Sequence, residues 1–285
     1  MVSDLASVIW HNLRQTPMLS RIFYVPFWEC PYRCDFCCVD SLPGRPPADL
    51  DVGEDMLFDL LQELYRRRGK PLGLHYYGGE PLMRPEYLAQ VGERAMRDPA
   101  VSKLYVYSTL KLKGIDQLLE VVPRERLRIV VNTDTVDEFV RAEVTRLDGI
   151  AEYYTNPTVF HTGRGRAGCE GYQEAWFERI LPRALPGRSC FATASGMLVN
   201  GPHHSVHLCC LPQSPEVGRL GMPAAQVVDQ YLARLKTYHK EALEQMRRDK
   251  LMHACQTCEA NSSFESTRHG PAAEQPLTFM PAGSP

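Results

Sequence analysis

Along this chain the spacing of apolar residues switches repeatedly between two periods, and the switches mark an alternation of strands and helices. Arg21 to Glu29 is a β-branched and aromatic run that reads as a strand. Between Glu54 and Arg68 the apolar positions Met56, Leu57, Leu60, Leu61 and Leu64 have the spacing of an amphipathic helix. Leu72 to Tyr77 predicts a second strand, Lys103 to Thr109 a third, Leu127 to Thr133 a fourth and Tyr153 to Phe160 a fifth. Helical spacing occupies the intervals at Ile115 to Val122, Val136 to Leu147 and Gly171 to Leu185. This β/α alternation argues for a parallel sheet with helices outside it. Further on, Phe191 to Asn200 has the alternation and central glycine of a hairpin, and His207-Leu208-Cys209-Cys210 ends the returning strand. A long amphipathic helix is predicted from about Pro223 to Met252, and from about Ser262 the periodicity is lost, as in a poorly ordered end.

At 285 residues the chain is long enough for one main domain with a small appendage. A formal net charge of −2 gives no bulk attraction for nucleic acid or an anionic membrane. Its three tryptophans and scattered tyrosines form no spaced stacking platform for single strands. No apolar run approaches the length of a membrane span, and Met1 to Gln15 lacks a signal-peptide core. Ten cysteines without an export signal argue for a reducing cytoplasm and for metal ligation over disulfides.

Three of those cysteines, Cys30, Cys34 and Cys37, are spaced C-x3-C-x2-C. Three thiolates on one short loop suit three irons of a [4Fe–4S] cube and leave the fourth iron open to an outside ligand. A zinc knuckle is the alternative, with Cys38 as a fourth ligand made awkward by following directly on Cys37. The second strand runs straight into Gly78-Gly79-Glu80-Pro81, which by itself reads as a turn.

A strand, a CxxxCxxC loop, a helix, then a second strand ending in Gly-Gly-Glu-Pro resembles the radical S-adenosylmethionine (radical SAM) superfamily. The resemblance implies an α/β fold, a partial (β/α)6 TIM-like barrel with its reactive groups at the C-terminal ends of the strands. It implies that the amino and carboxylate groups of SAM chelate the open iron and that the reduced cluster cleaves SAM to a 5′-deoxyadenosyl radical. Gly78 and Gly79 would allow close backbone approach to the methionine end, Glu80 would offer its charge to the ammonium, and Phe36 would lie near the adenine. Ser108 and Asn132 end their strands and could meet the ribose or carboxylate, or simply serve as turn residues. Arg166, in the Gly-Arg-Ala of residues 165–167, would stand beside SAM, against the alternative of a solvated basic turn.

The remaining cysteines extend the resemblance. Cys190 precedes the hairpin, Cys209 and Cys210 follow it, and Cys255 and Cys258 form a C-x2-C after the long helix. This resembles the shortened auxiliary-cluster module called a twitch domain, and implies a second [4Fe–4S] cluster; the longer SPASM version needs further cysteines after Cys258, and none follow. A structural zinc on the same four thiolates is the alternative. The expected organisation is a barrel over 1–185, an auxiliary module of hairpin plus helix over 186–261 and a tail over 262–285. Neighbouring strand residues face opposite ways, so only one of Cys209 and Cys210 should ligate, and Cys209 is taken into the set. Cys210, with Cys169 as second candidate, is then either a buried apolar residue or a hydrogen-atom donor to a substrate radical. His203 and His204 read as turn decoration, and His75 as hydrogen-bonded within the barrel.

Proteins with these features include aminoglycoside epimerases, aminocyclitol dehydrogenases and a few peptide epimerases. The cluster loop is reached after about 29 residues, which leaves no place for a peptide-recognition domain and favours a small hydroxylated amine. Asp134 and Asp137 are available to such a cation. The expected reaction is hydrogen abstraction followed by inversion of a stereocentre in natural-product biosynthesis. The alternative is oxidation of a secondary alcohol to a ketone, with the auxiliary cluster accepting the electron. Outside the enzyme class, the chain would be a passive iron–sulfur or zinc binding protein. An electron donor of flavodoxin or ferredoxin type is the expected partner.

Overall fold

Strands form where the apolar residues alternate: β1 (Arg21–Val25), β2 (Leu72–Tyr76), β3 (Val101–Ser108), β4 (Leu127–Val131) and β5 (Ala151–Tyr153). They pair in parallel in the order β5-β4-β3-β2-β1. Four helices lie between them in the chain: α1 (Leu50–Arg68), α2 (Pro85–Arg97), α3 (Ile115–Val121) and α4 (Glu138–Arg146). The computed structural model describes residues 19–32, 34, 37, 41, 50–131, 136–153, 196–249 and 254–262, although some helical side chains, Cys255 among them, are left out. The expected helix over Gly171 to Leu185 and a sixth barrel strand lie outside the described residues. The fifth strand begins two residues earlier than its pattern predicts.

The two faces of the sheet differ. On the outer face Ile22, Tyr24, Leu74, Tyr76, Leu104 and Val106 join Leu57, Leu60, Leu61, Leu88 and Val91 of the helices in one core. Each such leucine, fully buried, contributes about 1.5–3 kcal/mol. The register places Phe23 and Val25 of β1, His75 of β2, Tyr105 and Tyr107 of β3, Arg128 and Val130 of β4 and Glu152 of β5 on the opposite, inner face. The inner face is therefore mixed aromatic and polar.

The hairpin attaches at the β1 edge. Its strands are β6 (Gly196–Asn200) and β7 (Ser205–His207), and β6 runs parallel to β1 with Phe23 opposite Leu198 and Val25 opposite Asn200. A further strand, β8 (Glu216–Arg219), pairs with β7 and completes an eight-stranded sheet. Gly196 permits the close approach, because a Cβ there would lie 2.7 Å from the Arg21 carbonyl oxygen. The long helix α5 (Ala224–Arg248) buries Val227, Val228, Tyr231, Leu235, Tyr238 and Ala242. It packs against α1, where Arg67 reaches Asp229 at 2.6 Å and the Ala225 carbonyl at 3.1 Å. The last helix, α6 (Ala254–Asn261), carries the C-x2-C and packs on α5. No described helix is long and apolar enough to cross a membrane.

Candidate active site

Beyond β2 the chain stays clamped to the segment leading into Cys30. The Tyr77 amide donates to the Tyr24 carbonyl (3.0 Å), Gly79 to Phe27 (3.1 Å) and Glu80 to Glu29 (2.8 Å). Gly78 has φ +143, and a Cβ on it would lie 2.6 Å from the Phe27 carbonyl oxygen. At Gly79 a Cβ would overlap the Glu29 carbonyl and come within 2.8 Å of the Trp28 carbonyl carbon. The two glycines thus form a turn flush against residues 27–29. Arg84 donates to the Glu29 carboxylate at 3.0 Å and holds the same segment from the other side.

Glu80 ends this turn, only 1% exposed. Its Oε1 accepts from Ser108 Oγ (2.6 Å) and the Leu82 amide (3.1 Å), and its Oε2 from the Thr109 amide and Oγ1 (both 2.8 Å). Ser108 Oγ in turn accepts from the Leu110 amide (3.0 Å) and Thr109 Oγ1 from the Lys111 amide (3.3 Å), so both hydroxyl protons point at Glu80. Four donors on two oxygens describe a carboxylate. Burial pushes this carboxyl up, and the hydrogen bonds from Ser108, Thr109 and Leu82 oppose that push. The carboxylate expected to face an ammonium is engaged by the protein itself, and Ser108 is one of its partners. Thr109, which the sequence pattern passes over, is another.

Cys30 is buried while Cys34 and Cys37 are partly exposed, and the Cys37 amide donates to the Cys34 carbonyl at 3.2 Å. Burial first, then the charges of Glu80, Cys34 and Cys37, push the Cys30 thiol up to about 12. A metal bound there must displace a proton. Among the described residues no three His, Cys, Asp or Glu side chains converge on a single-ion position. A four-iron cube spreads its thiolates wider than one ion does. Three thiols spaced C-x3-C-x2-C, with Cys30 close enough to feel the charges of Cys34 and Cys37, are a donor set whose chemistry fits such a cube. Phe36, Asn132, Arg166, Cys169 and Cys190 lie outside the described residues.

On the inner face Cys209 and Cys210 are buried with Phe23, Val25, Trp28, Leu198 and Leu211, and Cys37 and Tyr77 pack against this group. Cys209 and Cys210 are not equivalent. Cys209 Sγ accepts from the Leu211 amide at 3.4 Å. A hydrogen bond from Cys210, with help from the Leu211 amide and Ser214, lowers the Cys209 thiol against the effect of burial. The Tyr77 hydroxyl donates to the Cys210 carbonyl. Cys258 faces Tyr238 of α5, its Sγ 2.8 Å from the hydroxyl. The charge of Cys209 reaches Tyr231, two turns earlier on that helix. Cys209 and Cys258 therefore face one helix, and the other two members of the expected auxiliary set, Cys190 and the Cys255 side chain, are not described.

Two buried histidines flank this region. His75 stacks on Tyr105 (ring centroids 4.3 Å apart, 10° between planes), and its Nδ1 lies 2.9 Å from the Tyr107 hydroxyl. His207 Nδ1 lies 2.9 Å from the Ser214 carbonyl, which only accepts, so Nδ1 carries the proton and Nε2 accepts from Ser205 Oγ at 2.7 Å. Burial, and then Arg21, lower His75 to about 3. The unfolded chain binds a proton on this ring below about 6.5 and the folded chain does not, so this part of the stability falls as pH drops from about 6.5 toward 3. His75→Phe should keep the stacking and flatten that acid limb of the Tm–pH curve, a difference on the order of a few kcal/mol across the window. Parallel acid limbs for the two proteins would contradict the assignment.

The fold and the turn together define an α/β sheet in which the segment entering a cysteine-bearing stretch is clamped against a Gly-Gly turn at the C-terminal ends of the first two strands. No family model and no curated protein matches the chain. Solved structures do match, among them the crystal structure of BtrN in complex with AdoMet and 2-DOIA: TM-score 0.55, 16% identity, 81% of this chain and 89% of that one covered. Another is the crystal structure of selenomethionine BtrN in an open conformation, with TM-score 0.48, 13% identity and coverage of 83% and 91%. The likeness to the AdoMet complex shows that the chain has its fold, in agreement with the α/β partial barrel expected from sequence.

Proposed function

We propose that this protein is a radical SAM enzyme acting on a small hydroxylated amine of the aminocyclitol or aminoglycoside class. The observation that carries this reading is the Gly78-Gly79 turn lying flush on the segment that enters the Cys30, Cys34, Cys37 loop. A fold shared with a protein that holds AdoMet and 2-DOIA supports both the cofactor and the substrate class. Cys30, Cys34 and Cys37 would hold a [4Fe–4S] cluster, which with SAM supplies a 5′-deoxyadenosyl radical able to take hydrogen from a C–H bond. A second cluster on Cys190, Cys209, Cys255 and Cys258 belongs to the same proposal. The Leu211 amide hydrogen bond to Cys209 Sγ, of the kind that supports a ligating thiolate, favours Cys209 as the ligand of the adjacent pair in this proposal.

In this reading Cys210, buried beside Phe23, Val25 and Leu198, is the hydrogen-atom donor. It gives its hydrogen atom to the substrate carbon radical, forming a C–H bond on the opposite face and leaving a thiyl radical. An electron from a flavodoxin- or ferredoxin-type partner and a solvent proton restore the thiol. Inversion needs no proton acceptor beyond this. Oxidation, the second reading, needs a base for the hydroxyl proton, and the two described histidines of the inner face suit that poorly. His75 is held down to about 3, and both nitrogens of His207 are engaged. Fold likeness to the 2-DOIA complex keeps oxidation as the competing reading, with Glu152 a strand carboxylate on the inner face.

Anaerobic reconstitution and reduction test the class: the enzyme should cleave SAM to 5′-deoxyadenosine, and a passive metal-binding protein should not. Cys210→Ala should stop inversion while SAM cleavage continues, and turnover of the unaltered enzyme in deuterated water should place solvent deuterium at one carbon. A ketone product free of solvent deuterium would establish oxidation instead.

A further inference from the structure

Asn200 is the last residue of β6 and is fully buried, yet among the described residues neither its side-chain Nδ2 nor its Oδ1 has a hydrogen-bond partner. An unpartnered buried amide is costly, and folds rarely keep one without a use for it. Its place is specific. Asn200 shares the inner face with Leu198 and pairs with Val25, the residue at which β1 ends. Val25 also borders the Gly-Gly turn: a Cβ on Gly78 would lie 3.0 Å from its Cγ1. Across the hairpin Asn200 is opposite Ser205, whose proton goes to His207 Nε2 and whose oxygen keeps acceptor capacity. The carboxamide therefore lies at the strand ends, between the hairpin and the segment entering the cluster loop.

We infer that Asn200 is a specificity-determining residue that recognises a hydroxyl of the substrate. A hydroxyl matches both halves of the amide, donating to Oδ1 while accepting from Nδ2, whereas an ammonium only donates. The apolar neighbours Val25 and Leu198 disfavour a bare charge at this point. This inference rests on the substrate class proposed above.

The test compares the reconstituted holoenzyme with Asn200→Leu, an apolar residue of similar volume. Three quantities are measured: apo Tm, SAM cleavage without substrate, and affinity for 2-DOIA and a panel of aminocyclitols with their deoxy analogues, by calorimetry. The expected result is a Tm raised by a few degrees, since an unpartnered amide is removed. Affinity for the hydroxylated ligand should fall about tenfold or more, and the preference over its deoxy analogue should disappear. Should Asn200→Leu not fold, Asn200→Ala is compared on affinity and preference alone. Unchanged affinity in the variant, or a wild-type protein that binds none of the panel, overturns the inference. Failure of the wild type to cleave SAM instead overturns the radical SAM reading, and the binding comparison still reports on Asn200.

Discussion

Gly79→Ala should yield a protein that does not assemble the cluster proposed at Cys30, Cys34 and Cys37, with iron falling from about eight to about four per chain if the second proposed cluster is retained. The added Cβ would occupy the space of the Glu29 carbonyl, and the atoms it meets belong to backbone at Trp28 and Glu29. No rotamer change relieves that overlap. Either the turn or the segment one residue before Cys30 must move, and the bonds from Gly79 to Phe27 and from Glu80 to Glu29 go with it. Overpacking of this kind costs typically 1–3 kcal/mol, and about the upper end or more when only backbone can yield. Gly69→Ala is the control. Gly69 has φ +66 but nothing within 4 Å of its added Cβ, so alanine there meets only backbone strain of about 1–2 kcal/mol. Its iron content should equal that of wild type. Full iron and undiminished SAM cleavage in Gly79→Ala would remove the main support for the proposed function.

Local pattern carried far where the physics is local. The apolar stripe of α1 at Met56, Leu57, Leu60, Leu61 and Leu64 is buried as its period requires. The same reasoning misses α2, although Pro85 at its first position and Leu88, Val91 and Ala95 at helical spacing were available as signals. Pairings between distant segments are another matter. That β6 docks on β1 depends on the fit between Gly196 and Arg21, about 175 residues apart, and nothing in either segment specifies it. The alternation up to Asn200 is kept in β6, but Gly196 opens that strand and the hairpin turns at residues 201–204, so β7 ends at His207 and leaves Cys209 and Cys210 beyond it; nor does the pattern show that the hairpin prolongs the barrel's own sheet.

The candidate site divides along the same line. The cysteine spacing and the Gly-Gly-Glu-Pro turn are contiguous motifs, so their residues could be named from sequence. What they touch could not. Glu80 looks like a charge available to a ligand until β3 is set beside β2, at which point Ser108 and Thr109 close on it. Cys209 and Cys210 are equivalent in sequence, and the turn through Leu211 and Ser214 is what separates them. Asn200 is an ordinary polar residue at a strand end until its burial without a partner is known.

Glu80 itself leads to the other large effect. Glu80→Ala should lower stability by about 3–5 kcal/mol, as for one partner removed from a buried charged network, which corresponds to a drop in Tm of roughly 10 °C. The loss comes from the donors left behind, since Ser108 Oγ, Thr109 Oγ1 and the Leu82 and Thr109 amides all aim at a space without an acceptor. Glu80→Gln tests the donor count directly. Glutamine keeps the shape, but its amide nitrogen must face either Ser108 and Leu82 or both donors of Thr109, so donor meets donor in either orientation. It should therefore recover little of the lost stability. Because Ser108 ends β3 and Glu80 closes the turn after β2, the carboxylate laces two strand ends together beneath the Gly-Gly turn. Weaker SAM binding should accompany the lower Tm in both variants. A Glu80→Gln protein that melts within a degree or two of wild type would show that the side chain is held as a neutral acid, sharing its own proton with one of these partners.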